Sequence, residues 1–157
     1  MRYFILILIF ISTQLFGSPL TIGDELRLLD YETQQDEKVS IPKETKTIVF
    51  TSEMEASKIA HEVFENLGDT YLKQKSAVFI SDINRMPFLI TKFVALPKMR
   101  SYKYTIHLIK DEGPGLIFPK EKGKLTVISL NEFKITSIQF VSNSEELKNY
   151  LEKKNEK

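Results

Sequence analysis

Cysteine is absent from all 157 residues, and its absence excludes disulfides, thiol catalysis and thiolate metal sites together. Glycine is scarce as well. Its six copies stand apart at 17, 23, 68, 113, 115 and 123, so neither a GxGxxG turn nor a Walker loop exists to cradle a nucleotide phosphate. Histidine is limited to His61 and His107, with no i, i+4 pair and no cysteine to complete a zinc site. There is no GxSxG elbow, which leaves Ser52 or Ser57 beside His61 without the frame of a hydrolase triad. An excess of one charge is missing too: 22 basic residues face 21 acidic ones. Such a balance argues against a general nucleic-acid or anionic-membrane surface, even where Lys98, Arg100, Lys103 and Lys110, or Lys120, Lys122 and Lys124, cluster.

Long apolar runs are absent apart from one at the start. Arg2 precedes eight consecutive apolar residues, Phe4 to Ile11, before Ser12, Thr13 and Gln14 interrupt them. A bilayer span needs about 20 residues, so the run fits the core of an export signal better than an uncleaved anchor. Cleavage is expected after Gly17, with Leu15 at the minus-three position, or after Ser18, where Phe16 fits that position poorly. A lipid anchor on an N-terminal cysteine is excluded. Loss of residues 1–17 removes Arg2 and leaves 140 residues in formal charge balance, enough for one domain with its own core. The expected location is the periplasm or the extracellular medium.

Beyond the signal, Leu26, Leu28 and Leu29, then Val39 and Ile41, bracket the polar stretch Glu32 to Lys38 and read as two strands joined by a turn. Thr47 to Phe50 has no alternation, as expected of a strand buried on both faces. It runs into Ser52 and Glu55, spaced as a capping box. Ile59, Val63, Phe64 and Leu67 follow at helical spacing up to Gly68, an expected stop. Ala77 to Ile80 predicts a second buried strand, with Asp82 and Asn84 at its exit. Phe88 to Leu96 is apolar at so many positions that a short, rather fully buried helix ending at Pro97 is expected.

Tyr104, Ile106 and Leu108 alternate as a strand, and Asp111 to Phe118 reads as turn and irregular backbone. Whether Gly115 to Phe118 forms a helical turn is left open by its residues. Leu125 to Leu130 and Lys134 to Val141 predict a hairpin about Asn131, Glu132 and Phe133. Ser142 or Asn143 then caps a last helix with Leu147, Tyr150 and Leu151 on one stripe.

Strand, helix, strand, helix, then an antiparallel hairpin and a closing helix resembles the thioredoxin-like superfamily. The resemblance rests on Gly23 and Asp24 opening an N-terminal hairpin, Thr47 to Leu67, Ala77 to Asp82, and Leu125 to Leu151. Over Ile80 to Met99, Tyr104 to Asp111 and Lys124 to Leu151 the chain is similar to small exported bacterial proteins of the YtfJ-like group and cysteine-free relatives. The resemblance implies an α/β fold, a central mixed sheet flanked by helices, with an N-terminal β-hairpin extension, over residues 18–157. Redox-active members carry cysteine where this chain has Thr51 to Ala56, and a cis-proline where it has Gly123 and Lys124. What is implied is therefore the scaffold without the redox activity. Some similar sequences bear the name of a flavin-containing dehydrogenase, but these residues supply no phosphate loop for a flavin. No cofactor and no metal is expected.

Two places remain as candidate sites. A helix N-terminus at Thr51 and Ser52 offers amides to an anion or a carbonyl, and with Lys124 it would serve a small enzyme or cofactor carrier. Glu53 and Glu55 oppose this with two negative charges. The segment Asn84 to Tyr104 combines Arg85, Met86, Pro87, Pro97, Lys98, Met99, Arg100 and Tyr102, a mixture typical of protein-binding surfaces. Thr51, Ser52, Arg85, Met86, Pro87 and Tyr102 together predict a site for a protein or peptide partner.

Overall fold

The computed structural model describes residues 18–26 and 29–153. The expected export signal at 1–17, Leu28 of the first expected strand and the charged tail from 154 lie outside the described residues. Seven strands form one sheet: β1 (Tyr31–Thr33), β2 (Lys38–Val39), β3 (Thr47–Thr51), β4 (Ala77–Asp82), β5 (His107–Ile109), β6 (Leu125–Asn131) and β7 (Lys134–Val141). Their spatial order is β2-β1-β5-β4-β3-β6-β7. β3, β4 and β5 run parallel, and both edges are antiparallel hairpins. Every residue of β3 and β4 is buried, which explains their unbroken apolar and β-branched runs.

The two faces of the sheet carry separate cores. Val49, Phe79 and Val127 meet Phe64 and Leu72 of α1 (Met54–Gln74), and Leu147 and Leu151 of α4 (Ser144–Lys153). Ile48, Phe50, Val78, Ile80 and Ile128 point the other way, under Leu26, Ile41 and Phe118. Phe118 stacks on Phe50 with ring centroids 4.2 Å apart. It follows the 3-10 turn Pro114–Ile117, which begins one residue before the stretch left open by the sequence. Each large side chain so buried contributes roughly 1.5–3 kcal/mol.

Three local expectations are corrected. The N-terminal hairpin exists, but its first strand is Tyr31–Thr33, which runs into the stretch Glu32 to Lys38 read as the turn. Polar Glu32 sits at the centre of that strand because only its neighbours Tyr31 and Thr33 face inward. The Ser52–Glu55 capping box does not form: Glu53 is the N-cap, and its amide donates to the Thr51 hydroxyl at 3.1 Å. Gly68 interrupts the helix without ending it. Its backbone, at φ 70° and ψ −177°, is open essentially to glycine alone, and helix resumes beyond a kink that lets the Asp69 amide reach Lys103 O at 3.0 Å.

The largest departure concerns residues 88–100. Helix does form, as α2 (Phe88–Ile90), a π turn (Thr91–Ala95) and α3 (Leu96–Arg100) in direct succession. It passes through Pro97 instead of stopping before it. Proline has no amide to donate, and its ring presses on the carbonyl four residues back. The π turn accommodates that defect, with the Leu96 amide bonding Thr91 O five residues earlier. No residue of this helix is buried, and Phe88, Leu89, Ile90, Phe93 and Val94 are 45–70% exposed.

At the other end of the chain the reading of the residues matches the fold closely. β6 and β7 turn through Glu132 and Phe133, both at positive φ, as a two-residue hairpin requires. Asn143 Oδ1 accepts the Glu146 amide at 2.9 Å and caps α4. Tyr150 packs inward, and its hydroxyl bonds Ser129 and Ser137.

Candidate functional site

Because the 88–100 helix stands away from the body, grooves open on both of its sides. The first, of about 550 Å³, separates it from the N-terminal half of α1. α1 and its approach contribute Ser52, Glu53, Met54, Ser57, Lys58 and His61. The helix contributes Ile90, Val94, Ala95, Lys98 and Met99, and the end of β4 contributes Ser81 and Asp82. The lining is largely apolar, with cations at Lys58, Arg85 and Lys98. The second groove, of about 650 Å³, runs along the opposite flank past Asn84, Phe88, Lys92 and Arg100.

Of the six residues expected to form a site, Ser52, Arg85, Met86, Pro87 and Tyr102 share the 550 Å³ groove. Thr51 does not join them. As the last residue of β3 it is buried, and its hydroxyl accepts the Glu53 amide and donates to Glu53 O, both at 3.1 Å. Lys124 is likewise engaged, bonded to Glu121 at 2.6 Å. The Glu53 carboxylate reaches across to the Gly123 amide at 2.8 Å, and no peptide bond among the described residues is cis. The first turn of α1 thus presents Glu53 and Glu55, which oppose a bound anion.

His61 is tied into an aromatic pile. Its Nδ1 lies 3.0 Å from the Tyr104 hydroxyl, and its ring lies 4.2 Å from that of Tyr102. Both contacts hold the ring toward Tyr104 and Tyr102, and among the described residues no hydrogen bond joins it to Ser52 or Ser57. Burial raises the Tyr104 and Tyr102 phenols above their usual range, with Glu65 adding to both, so they stay neutral donors. His107 sits at the start of β5. It lies buried edge-on to Tyr31, ring centroids 5.8 Å apart. Among the described residues no group of three or more histidines, aspartates and glutamates is placed to hold a metal.

Asp82 is the one charged side chain buried at the groove. Its Oδ1 accepts the Asn84 amide at 3.2 Å and the Asn84 side chain at 2.7 Å, and its Oδ2 lies 3.5 Å from Lys120 Nζ. A charge so paired serves the loop after β4 and is not free for catalysis.

The fold has counterparts among solved structures. A protein described as a putative protein disulfide isomerase from Bacteroides thetaiotaomicron superposes with a TM-score of 0.57 at 17% identity, over 87% of this chain and 89% of that one. The fold is thioredoxin-like. Peroxidoxin BcpB from Mycobacterium tuberculosis superposes at 0.56 and 13% identity, over 83% of this chain and 94% of its own. A putative thiol:disulfide interchange protein DsbE from Chlorobium tepidum gives 0.54 at 13%, over 85% and 94%. No protein-family model and no curated protein matches the chain. Identities this low carry the thioredoxin-like architecture and nothing of the chemistry. Among the described residues, no helix is long and apolar enough to cross a membrane.

The sequence pointed to residues on both walls, Ser52 on one and Lys98 and Met99 on the other, but missed the apolar residues between them. Ile90 and Val94 were expected inside the core, so neither was counted as a ligand contact.

Proposed function

We propose that this chain is an exported, redox-inactive accessory protein that uses a thioredoxin-like fold to bind a protein or peptide partner in the periplasm. The observation that carries the reading is the 550 Å³ groove, which lies within the usual range for ligand sites and is lined by Met54, Met86, Ile90, Val94 and Met99. Methionines adapt to differently shaped apolar partners, and Arg85 and Lys98 supply polar anchoring. Cysteine is absent, so thiol–disulfide exchange has no nucleophile. The expected signal at 1–17 supports export.

The test is recovery of partners from a bacterial envelope extract on immobilised protein, with Val94→Glu and Met54→Glu beside the parent. Both side chains are exposed, so the fold tolerates the changes, which circular dichroism checks. Partners recovered by the parent and lost from both variants support the groove. Equal recovery on all three sinks it.

A further inference from the structure

We propose that the outward face of the 88–100 helix docks the protein on an anionic lipid bilayer surface. This face is separate from the groove, since Leu89 and Phe93 line neither of the two clefts that flank the helix and project from it instead. Leu89 is 64% exposed, Phe93 66% and Phe88 70%. An aqueous surface rarely presents three such side chains together, and a helix apolar on most of its circumference calls for a cover.

Charge identifies the cover. From Ile83 to Lys110 the chain has six basic residues and no acidic one, although its overall charge is only +1. Arg100 and Lys110 are spent on Asp36 and Glu32 of the N-terminal hairpin, and Lys103 lies 4.0 Å from Glu65. Arg85, Lys92 and Lys98 have no acidic partner among the described residues, and all three are exposed. Lys92 Nζ sits 5.6 Å from the Phe88 ring centroid and 5.7 Å from that of Phe93, so the cation travels with the apolar side chains.

A second copy of the chain is the poorer occupant. A two-fold contact through this face would set Lys92 and its equivalent close together with no acid between them. Protruding side chains also suit a surface that yields to them better than a rigid one. The boundary of a bilayer does so: aromatic and leucine side chains enter the acyl region while lysine and arginine remain among the phosphates.

The experiment is vesicle co-sedimentation of the full chain, with phosphatidylglycerol–phosphatidylcholine vesicles against phosphatidylcholine alone. Binding is expected to the anionic vesicles, weakened by salt, and reduced at least roughly tenfold in Leu89→Glu/Phe93→Glu and in Lys92→Glu. Equal binding by parent and variants would assign any affinity to another segment, such as residues 1–17, and overturn the proposal. So would equal binding to neutral vesicles, or none to either. An acidic protein partner on this face would give that last result, together with crosslinks from a photoreactive group at position 93. Val94→Glu and Met54→Glu, which test the groove, leave Leu89 and Phe93 in place, so failure of one reading is distinguishable from failure of the other.

Discussion

Glu53 Oε2 accepts a hydrogen bond from the Gly123 amide at 2.8 Å, joining the N-cap of α1 to the loop before β6. The contact ties two segments 70 residues apart at the end of the sheet where the groove opens. Both partners are solvent-accessible, so the stabilisation is small, about 0.5–1 kcal/mol. Its effect is felt locally. Glu53→Ala is expected to raise amide exchange at Gly123 about three- to fivefold, while Glu53→Gln, which keeps an acceptor, retains most of the protection. Exchange rates at Gly123 that match in parent and Glu53→Ala would show that the bond does not hold the loop.

Gly115 and Asp82 form a tighter pair. A Cβ placed on Gly115 would lie 1.8 Å from Asp82 Oδ2 and 2.6 Å from its Cγ. The carboxylate cannot swing aside freely, because Asn84 and Lys120 hold it and the side chain is only 4% exposed. Gly115→Ala is expected to cost about 2–3 kcal/mol in urea unfolding. In an Asp82→Ala background the same change has nothing to strike and costs at least about 1 kcal/mol less. Additive losses would remove the steric explanation.

Much of this architecture was legible because burial writes itself into composition. β3 and β4 are covered on both faces, so Thr47 to Phe50 and Ala77 to Ile80 had to be apolar throughout, and they read as strands at once. Asn143 and the Leu147–Leu151 spacing marked α4 equally well. The 88–100 helix misled for the same reason. Apolar residues on most sides normally mean a buried helix, and periodicity cannot say whether anything lies opposite. The balanced total likewise averages away the segment from Ile83 to Lys110, which has six basic residues and no acidic one. Of the site, Arg85, Met86, Pro87 and Tyr102 were visible as an unusual local mixture. Thr51 was misjudged because the residue ending a buried strand has its hydroxyl claimed by the next turn.

Gln34 left no local signal at all. Its side-chain amide donates to Tyr104 O at 2.7 Å, and its Oε1 accepts the Ile106 amide at 2.9 Å, more than 70 residues away along the chain in the second case. One buried side chain thereby completes the backbone pairing just ahead of β5. Gln34→Leu is nearly isosteric and leaves both backbone groups buried without partners, so a loss of about 2–3 kcal/mol is expected from urea unfolding. Gln34→Glu keeps the acceptor only and buries a charge as well, so it is expected to do no better. A Leu variant within about 0.5 kcal/mol of the parent would mean that water replaces the amide.

His107 is where acid should first tell on stability. Burial pushes its pKa down from 6.5 to about 4, against weaker upward pulls from Asp69 and a backbone hydrogen bond to Ser40, and its Nδ1 has no partner among the described residues. Tyr31, the ring packed against it, is held neutral by its own burial and supplies no counter-charge. The folded state therefore keeps His107 neutral while the unfolded chain takes up a proton near pH 6.5, so the unfolded state gains as pH falls. Stability is complete above about pH 7 and declines through the window from 6.5 to 4, by about 2 kcal/mol between pH 7 and pH 5. His107→Phe keeps a ring against Tyr31 but cannot titrate. Urea midpoints measured at pH 7 and pH 5 should fall for the parent and change about 2 kcal/mol less for the variant. Parallel pH profiles would place the titrating group elsewhere.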